Sequence, residues 1–201
     1  MWCEIQTGWY NFAMNSALLH FFNNAPKVAE QIPELTFLGD EILKTKTTYT
    51  NFENAINVCK DLEKTLTKMR DITGVGRGLA APQIGSSERC FVTFVDNEFY
   101  YFINPEIINY SEQENWYRET CLSCGPLACN LNRSENITIK FIGKEGNQQE
   151  KTYNQFWARL LQHEYDHLEG IVNITKTKPE DIELLKRNPL EEILTNSNVQ
   201  A

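Results

Sequence analysis

The chain has 201 residues, of which 41% are hydrophobic and 23% are charged. These proportions are typical of a globular protein, and they exclude an intrinsically disordered chain and a collagen-like repeat. The formal net charge is −8. Broad electrostatic binding to nucleic acid needs a basic surface, so we expect no direct DNA binding.

The targeting and compartment signals are weak. No window approaches the ~20 apolar residues of a membrane span, so we expect no membrane association. Residues 1–26 contain no Lys or Arg, which argues against a secretory signal and a mitochondrial transit peptide. Six cysteines are too few for a disulfide scaffold, and three of them cluster at positions 121, 124 and 129, as in a metal or redox site. We expect a cytoplasmic protein of bacterial type, and an organellar origin stays open.

The chain divides into three parts. Residues 1–36 are rich in Asn and aromatic side chains, with a helix expected at about 12–22. We interpret them as an N-terminal extension that packs on the core or binds a partner. Residues 37–178 form the main domain. Residues 179–201 are expected to be a C-terminal helix and a frayed tail.

The clearest predicted helix spans residues 51–71, where apolar side chains recur at spacings of three and four. Thr50 and Glu53 match the capping-box pattern at its start, and Gly74 is a typical residue just beyond a helix end. Residues 39–44 are interpreted as a turn that leads into a short extended segment.

Short β-rich runs follow this helix, and a second helix is predicted at about 153–168. The order of helix, strands and helix predicts an α+β fold with a mainly antiparallel sheet. The predicted strands cover residues 90–95, 99–104, 106–110 and 137–143.

The sequence HEYDH, from His163 to His167, lies in the second predicted helix. Residues i and i+4 share one face of a helix, so both imidazoles can bind one metal ion. Glu164 lies between them and can act as a general base. Phe156 and Leu160 share the face of the two histidines, which therefore points into the protein. A metal site is favoured over two unrelated histidines.

A tetrahedral metal ion with two histidine ligands needs a third protein ligand if one position is to stay open. The candidates are a downstream glutamate, Glu180 or Glu183, and an upstream cysteine. A structural zinc knuckle built on Cys121 and Cys124 is a weaker alternative, because no second cysteine pair completes it.

Residues 74–85 (GVGRGLAAPQIG) are rich in glycine. The spacing of Gly76 and Gly78 superficially matches a dinucleotide-binding fingerprint. A helix precedes this stretch where a strand is required, and Pro82 obstructs the helix that should follow. A loop that brings its backbone close to a ligand, with Gln83 as a polar tip, is the better interpretation.

Together these segments resemble the peptide deformylase family. The family motifs GxGxAAxQ, EGCLS and HExxH read here GRGLAAPQ (76–83), ETCLS (119–123) and HEYDH (163–167), in the same order. The resemblance covers about residues 39–175. It implies an α+β fold with mainly antiparallel sheets packed around a central HExxH-bearing helix, and a deformylase-like catalytic domain over residues 37–178.

The resemblance also implies the metal centre. Cys121, His163 and His167 would hold one divalent metal ion. The donor set alone suits zinc, whereas the family implies Fe²⁺ in the native enzyme, with zinc, nickel or cobalt able to substitute. Iron beside a thiolate predicts sensitivity to oxygen.

The implied reaction is hydrolysis of the formyl group of N-formylmethionyl nascent peptides, with release of formate. Glu164 would accept a proton from the attacking water and pass it to the leaving amine. The Leu122 amide and the Gln83 side chain would stabilise the oxyanion. The peptide would lie as an extra strand along the glycine loop. The residues expected around the substrate are Gly76, Arg77, Gly78, Glu119, Phe156 and Leu160.

Two departures and two alternatives accompany this interpretation. Thr120 replaces the usual glycine of the cysteine motif. A β-branched residue there disfavours positive φ and crowds the wall of the substrate pocket, so it could narrow or reshape substrate access or mark a divergent branch. Cys124 is an additional thiol that could be exposed and oxidisable. The alternative functions are a zinc endopeptidase that uses Glu180 or Glu183 as its third ligand and an inactive relative that binds formylated peptides.

We expect a monomer. Ribosome contact through the acidic C-terminal region is less favoured than a solvated helix.

Overall fold

The protein is described here by a computed structural model, which covers Val28, residues 30–125 and residues 127–184. The helix expected at 12–22 and the tail beyond residue 184 lie outside the described residues. The described helices are α1 (Phe52–Thr73) and α2 (Gln155–Leu168). The described strands are β1 (Gly78–Ala80), β2 (Cys90–Val95), β3 (Glu98–Tyr110), β4 (Glu114–Thr120), β5 (Leu127–Ser134), β6 (Asn136–Ile142), β7 (Gln148–Asn154) and β8 (Ile182–Leu184).

The strands form two sheets. The larger has the order β1-β2-β3-β6-β7, the smaller has the order β4-β5-β8, and every pairing within them is antiparallel. The predicted α+β class with mainly antiparallel sheets is confirmed. β1 and β4 each pair on one side only within the described chain, so each presents a free edge.

Helix α1 covers the larger sheet with its apolar face. Cys59, Leu62 and Leu66 on that face are fully buried and pack in one cluster with residues of β1, β2 and β3. The Asn51 side chain caps the helix by accepting a hydrogen bond from the Asn54 amide at 2.9 Å. The predicted capping box at Thr50 is wrong, because position 50 lies before the cap.

Helix α2 contacts strands of both sheets, including β1 of the larger and β5 of the smaller. It begins at Gln155, two residues later than predicted, because Tyr153 pairs with Ile137 as part of β7. Ala158, Leu161 and Leu168 bury its apolar side against the larger sheet; they share a cluster with β3 and β6 side chains. Another face of α2 is thereby left for the polar residues of the HEYDH motif.

Other expectations were only partly right. Residues 99–104 and 106–110 belong to the single strand β3, whose pairing with β6 is irregular near Asn104, where φ is 48°. Residues 41–44 form a short 3₁₀ helix instead of an extended segment. The helix expected after position 179 is a 3₁₀ turn at Pro179–Asp181 followed by β8, as far as the structure describes it.

The beginning of the described chain packs against the core. Val28, Ile32 and Leu35 are buried in the cluster formed by α1 and the larger sheet. These contacts agree with an extension that packs on the core, for the described part of residues 1–36. Among the described residues, no helix is both long and apolar enough to cross a membrane.

Candidate active site

A cavity of about 210 Å³ lies between the free edges of β1 and β4, with α2 beside it. Three distant segments meet there: the glycine loop, the end of β4 with the 3₁₀ turn after it, and the HEYDH helix. The structure brings to its lining all six residues expected around the substrate and five of the six expected catalytic and metal-binding residues. His167 is the sixth, and it lies buried behind the lining.

Cys121, His163 and His167 form a compact donor cluster. Each offers a ligand atom, and these atoms all lie within 4.8 Å of one another. Cys121 Sγ lies 3.3 Å from Nε2 of His167. A thiol and two imidazoles are a donor set that suits zinc and ferrous iron. The residues present therefore fit one divalent transition-metal ion.

Burial and neighbouring side chains together set the protonation of this cluster. Burial lowers the pKa of His163, but the hydrogen bond and charge of Glu119 outweigh it, so that pKa is raised. Burial lowers the pKa of His167 well below its usual value, which favours the neutral imidazole that a metal needs. The neighbouring Cys124 thiol and burial raise the pKa of Cys121. A cation reverses that effect, because it stabilises the thiolate.

Glu119 orients the first histidine. Its Oε2 accepts a hydrogen bond from Nδ1 of His163 at 3.0 Å, which leaves Nε2 of that ring for a metal. Burial opposes ionisation of Glu119, but hydrogen bonds from His163 and Arg133 and the charge of Arg133 hold its pKa well below its usual range. The carboxylate is charged and fixed.

A buried ionic network surrounds Glu119, and sequence reasoning missed it. Arg133 on β5 donates to both Glu119 oxygens, at 2.6 and 2.9 Å, and to Asp166 of the HEYDH motif at 2.8 Å. Arg159 on α2 donates to Glu119 at 2.5 Å and also to Asn115. The network ties β4, β5 and α2 together. Arg133 and Arg159 meet at Glu119 only in the folded chain, so they have no local sequence signal.

Glu164 presents a carboxylate without a partner. It is 3% exposed, and its Oε2 has no hydrogen-bond partner among the described residues. Burial raises the pKa of Glu164 to about 7, despite the opposing charge of His163. A buried carboxyl of this kind can both accept and return a proton near neutral pH.

The glycine loop leaves room for Glu164. A Cβ on Gly78 would lie 2.6 Å from Cδ of Glu164. Gly76 has φ of 126°, and a Cβ there would lie 2.9 Å from Leu66 Cδ1. Both positions therefore require glycine, one for a close approach and the other also for its backbone conformation.

Gln83 is held with its amide nitrogen toward the cysteine. Its Oε1 accepts from the Ala80 amide at 2.9 Å, while Nε2 donates to Ser123 Oγ at 3.1 Å and lies 3.8 Å from Cys121 Sγ. Leu122 is the first residue of a 3₁₀ turn, where backbone N–H groups have no partner within the turn. Two hydrogen-bond donors, the Gln83 side chain and the Leu122 amide, thus lie beside the donor cluster of metal-binding atoms.

The sequence predicted three of the residues that line the outer part of the cavity, but it did not predict others. Phe156 and Leu160 line it from α2, and Arg77 lines it from the glycine loop. Tyr117 and Arg118 line it from β4. They were missed because the sequence ENWYRET has no clear apolar alternation.

The structure resolves the two sequence departures. Thr120 is the last residue of β4 and pairs with Ala128, and its φ is not positive, so the expected strain is absent. It does line the cavity, so its effect on substrate access stays a prediction. A β-branched residue suits a strand. Cys124 is buried, at 5% exposure, and its thiol donates to Asn173 Oδ1 at 3.3 Å, so the expectation of an exposed thiol was wrong.

The alternative third ligands lie elsewhere. Glu183 is on β8, where its carboxylate accepts from Asn130 at 2.7 Å and pairs with Arg118 at 3.2 Å. Glu180 belongs to the 3₁₀ turn before that strand. Among the described residues, the cluster that could hold a metal contains Cys121 and neither glutamate.

Comparison with known proteins agrees with this geometry. The sequence profile of the polypeptide deformylase family matches residues 32–183. A peptide deformylase of Pseudothermotoga lettingae is 38% identical over 145 residues, which are 71% of this chain and 81% of that protein. The chain belongs to the polypeptide deformylase family. It is accordingly a metal-dependent hydrolase that removes the formyl group from nascent peptides.

Solved structures of the family share the fold. The crystal structure of the peptide deformylase from Thermotoga maritima is 32% identical with a TM-score of 0.62, and the match covers 72% of this chain and 97% of that one. A peptide deformylase from Acinetobacter baumannii with Met-Ala-Ser bound is 25% identical with a TM-score of 0.62, covering 71% of this chain and 96% of that one.

Proposed function

We propose that deformylation takes place in the cavity between β1 and β4, with a divalent metal ion held by Cys121, His163 and His167. The observation that carries this assignment is the convergence of three donor atoms within 4.8 Å of one another beside the unpaired carboxylate of Glu164. The native ion is Fe²⁺, with zinc, nickel or cobalt as substitutes. When bound, the metal supplies Lewis-acid polarisation and makes water a stronger nucleophile at neutral pH.

Glu164 moves the proton in this proposal. Its carboxylate accepts a proton from the attacking water and returns it to the departing amine nitrogen, which leaves formate and a free peptide N-terminus. A pKa of about 7 suits both transfers. Its burial at 3% exposure keeps bulk water from competing for that proton.

Gln83 and Leu122 stabilise the oxyanion. The orientation of the Gln83 amide is maintained by Ala80 on one side and Ser123 on the other, so its N–H groups are preorganised beside Cys121. The Leu122 amide supplies the second donor. Preorganised donors stabilise developing charge without reorganising during the reaction.

The peptide lies as an added strand between the free edges of β1 and β4. Backbone groups of Gly78 and its neighbours bind it on one side, and the methionine side chain lies against Phe156 and Leu160. The binding of Met-Ala-Ser to the Acinetobacter baumannii protein supports a tripeptide product of the same kind here. Main-chain pairing of this type gives affinity without demanding a particular sequence.

Other features of the proposal follow from its function. The HExxH helix α2 is the central element, because it carries two ligands and Glu164 and contacts both sheets. The protein acts as a monomer in a bacterial-type cytoplasm on peptides that emerge from the ribosome. The domain limits at 37 and 178 stay predictions.

The test is formate release from formyl-Met-Ala-Ser by protein purified without oxygen, with its metal content measured. Glu164→Ala should retain the metal and lose activity by about 10²–10⁴-fold. Cys121→Ala should lose the metal. The matched control is Glu145→Ala, which removes an exposed carboxylate in the turn between β6 and β7 and should leave both properties unchanged.

Two results would contradict the proposal. Bound metal without formate release would indicate a relative that only binds formylated peptides. Retention of metal by Cys121→Ala would indicate that another residue is the third ligand, and it would favour the endopeptidase interpretation with Glu180 or Glu183.

A further inference from the structure

We propose that Arg77 gives this enzyme a preference for nascent peptides with a carboxylate side chain on one of the two residues after formylmethionine. The inference rests on the proposed function, because it concerns the same cavity and the same peptide. It adds a selected substrate class, peptides with Asp or Glu next to the initiator methionine.

The Arg77 side chain lies at the mouth of the cavity. The residue is exposed and immediately precedes β1, and its carbonyl is fixed by a 2.8 Å hydrogen bond from the Phe94 amide. Its guanidinium carbon lies 5.7 Å from the centroid of the Phe156 ring, which is 40% exposed. The charge therefore lies on the rim of the cavity, on the strand edge that the peptide would join.

The other arginines that line the cavity are already paired. Arg159 donates to Glu119, and Arg118 pairs with Glu183 at 3.2 Å. In the part of the chain that the structure describes, no carboxylate forms an ion pair or hydrogen bond with Arg77. Its guanidinium is therefore available to a ligand.

The negative groups of the cavity do not cancel this charge at the mouth. Glu119 is 7% exposed and is engaged by two arginines and a histidine, and Glu164 is 3% exposed. Arg70, close to Arg77, adds a second cation, and it is held by a 2.6 Å hydrogen bond to the Gly76 carbonyl. Asp71 lies close enough to Arg70 to offset part of its charge. The positive charge of the rim near β1 therefore comes mainly from Arg77, in a protein whose net charge is −8.

The position of Arg77 limits which peptide residues it can select. A strand advances ~3.3 Å per residue, so the two residues after methionine pass along β1 within reach of a long arginine side chain. An exposed ion pair contributes modestly, and we expect a two- to fivefold effect, about that of a surface pair. The net charge of −8 alone would predict the opposite preference, against acidic peptides.

The experiment measures kcat/KM for isosteric substrate pairs. Formyl-Met-Asp-Ser is compared with formyl-Met-Asn-Ser, and formyl-Met-Ala-Asp with formyl-Met-Ala-Asn. The wild type should favour the acid in at least one pair by about two- to fivefold. High salt should reduce the preference, Arg77→Gln should bring the ratio to about one, and Arg77→Glu should invert it. The matched control, Lys140→Gln, removes a cation on β6, three strands from β1, and should leave the ratio unchanged.

Different experimental results would overturn this inference and the proposed function on which it rests. Equal turnover of acid and amide by the wild type, or an acid preference that survives Arg77→Gln, would overturn the role of Arg77 while leaving deformylation intact. Loss of the preference in Arg118→Gln but not in Arg77→Gln would assign it to the other rim. No formate from any of the four peptides would overturn both.

Discussion

The α-carbon of Gly78 on β1 lies directly against the carboxylate of Glu164 on α2, so that a Cβ at position 78 would lie within 2.8 Å of Glu164 Cγ. This contact places the unpaired carboxylate at the edge where the peptide would pair. The Gly78 φ is not in the left-handed region, so the reason for glycine here is space alone. The absence of one side chain lets the strand and the helix approach closely enough to share a site.

Replacing Gly78 with Ala should therefore displace Glu164. We expect kcat to fall on the order of 10²-fold, because a small misplacement of a catalytic group has effects of that size. Metal content should be unchanged, since the atoms nearest to the added Cβ belong to Glu164 and not to a ligand. Steady-state kinetics with formyl-Met-Ala-Ser and metal analysis measure these two quantities. The control is Gly143→Ala, where the added Cβ meets the flexible end of Gln149; unchanged kcat in both variants would contradict the argument.

Replacing Glu119 with Gln should weaken metal binding and stability together. The variant leaves Arg133 and Arg159 without their shared anion, and removing one partner of a buried pair destabilises by about 3 kcal/mol or more. Loss of the carboxylate beside His163 should reduce metal affinity by about 10–100-fold. Urea unfolding and metal titration measure the two effects. Glu150→Gln, in an exposed pair with Lys140, should change neither.

Replacing Gln83 with Leu tests the oxyanion donor. We expect kcat to fall by about 10²–10³ while KM changes less, because the interaction strengthens only in the transition state. The control is Ser123→Ala, which removes an acceptor of the Gln83 amide and keeps the donor; its kcat should fall less than tenfold. Equal losses in the two variants would indicate that the hydrogen bond between Gln83 and Ser123, and not donation to the oxyanion, accounts for the effect.

Replacing Thr120 with Gly restores the usual family residue, and it should bring no gain in activity. Thr120 already has a strand backbone, so no strain is relieved. Glycine in a strand is destabilising by about 0.5–1 kcal/mol, and urea unfolding should show a loss of that size. A more than tenfold rise in kcat/KM for formyl-Met-Ala-Ser would show instead that the threonine obstructs the cavity.

The sequence predicted the elements whose residues carry a strong period. Helix α1, strand β2 and helix α2 were located to within a few residues, because apolar side chains recur on one face of each helix or fill the strand. Strands β4, β5 and β7 were missed. Their sequences, ENWYRET, LACNLNRS and QQEKTYN, contain many polar residues and no clear alternation of apolar side chains. Their burial also differs, since β4 is mostly half-exposed, β5 mostly buried and β7 mostly exposed, so their strand structure depends on partners distant in the chain.

The residues of the site also divide into those that the sequence indicated and those that it did not. The HEYDH motif and the cysteine motif indicated the donor cluster, since spacing on a helix and residue type both carry that information. Arg133 and Arg159 were not predicted as members of the site. Their importance comes from converging on Glu119 across β4, β5 and α2, which only the folded chain shows.

The donor cluster joins Cys121, the residue after β4, to the two histidines of helix α2. Cys121 and His163 are 42 residues apart in the sequence. A metal ion held there is therefore also a crosslink between the smaller sheet and the helix that contacts both sheets. Because ligand binding to the native state adds to the free energy of unfolding, a chelator should act on this enzyme much as a reductant acts on a disulfide-bonded protein. Inactivation by metal loss and loosening of the domain are then one event.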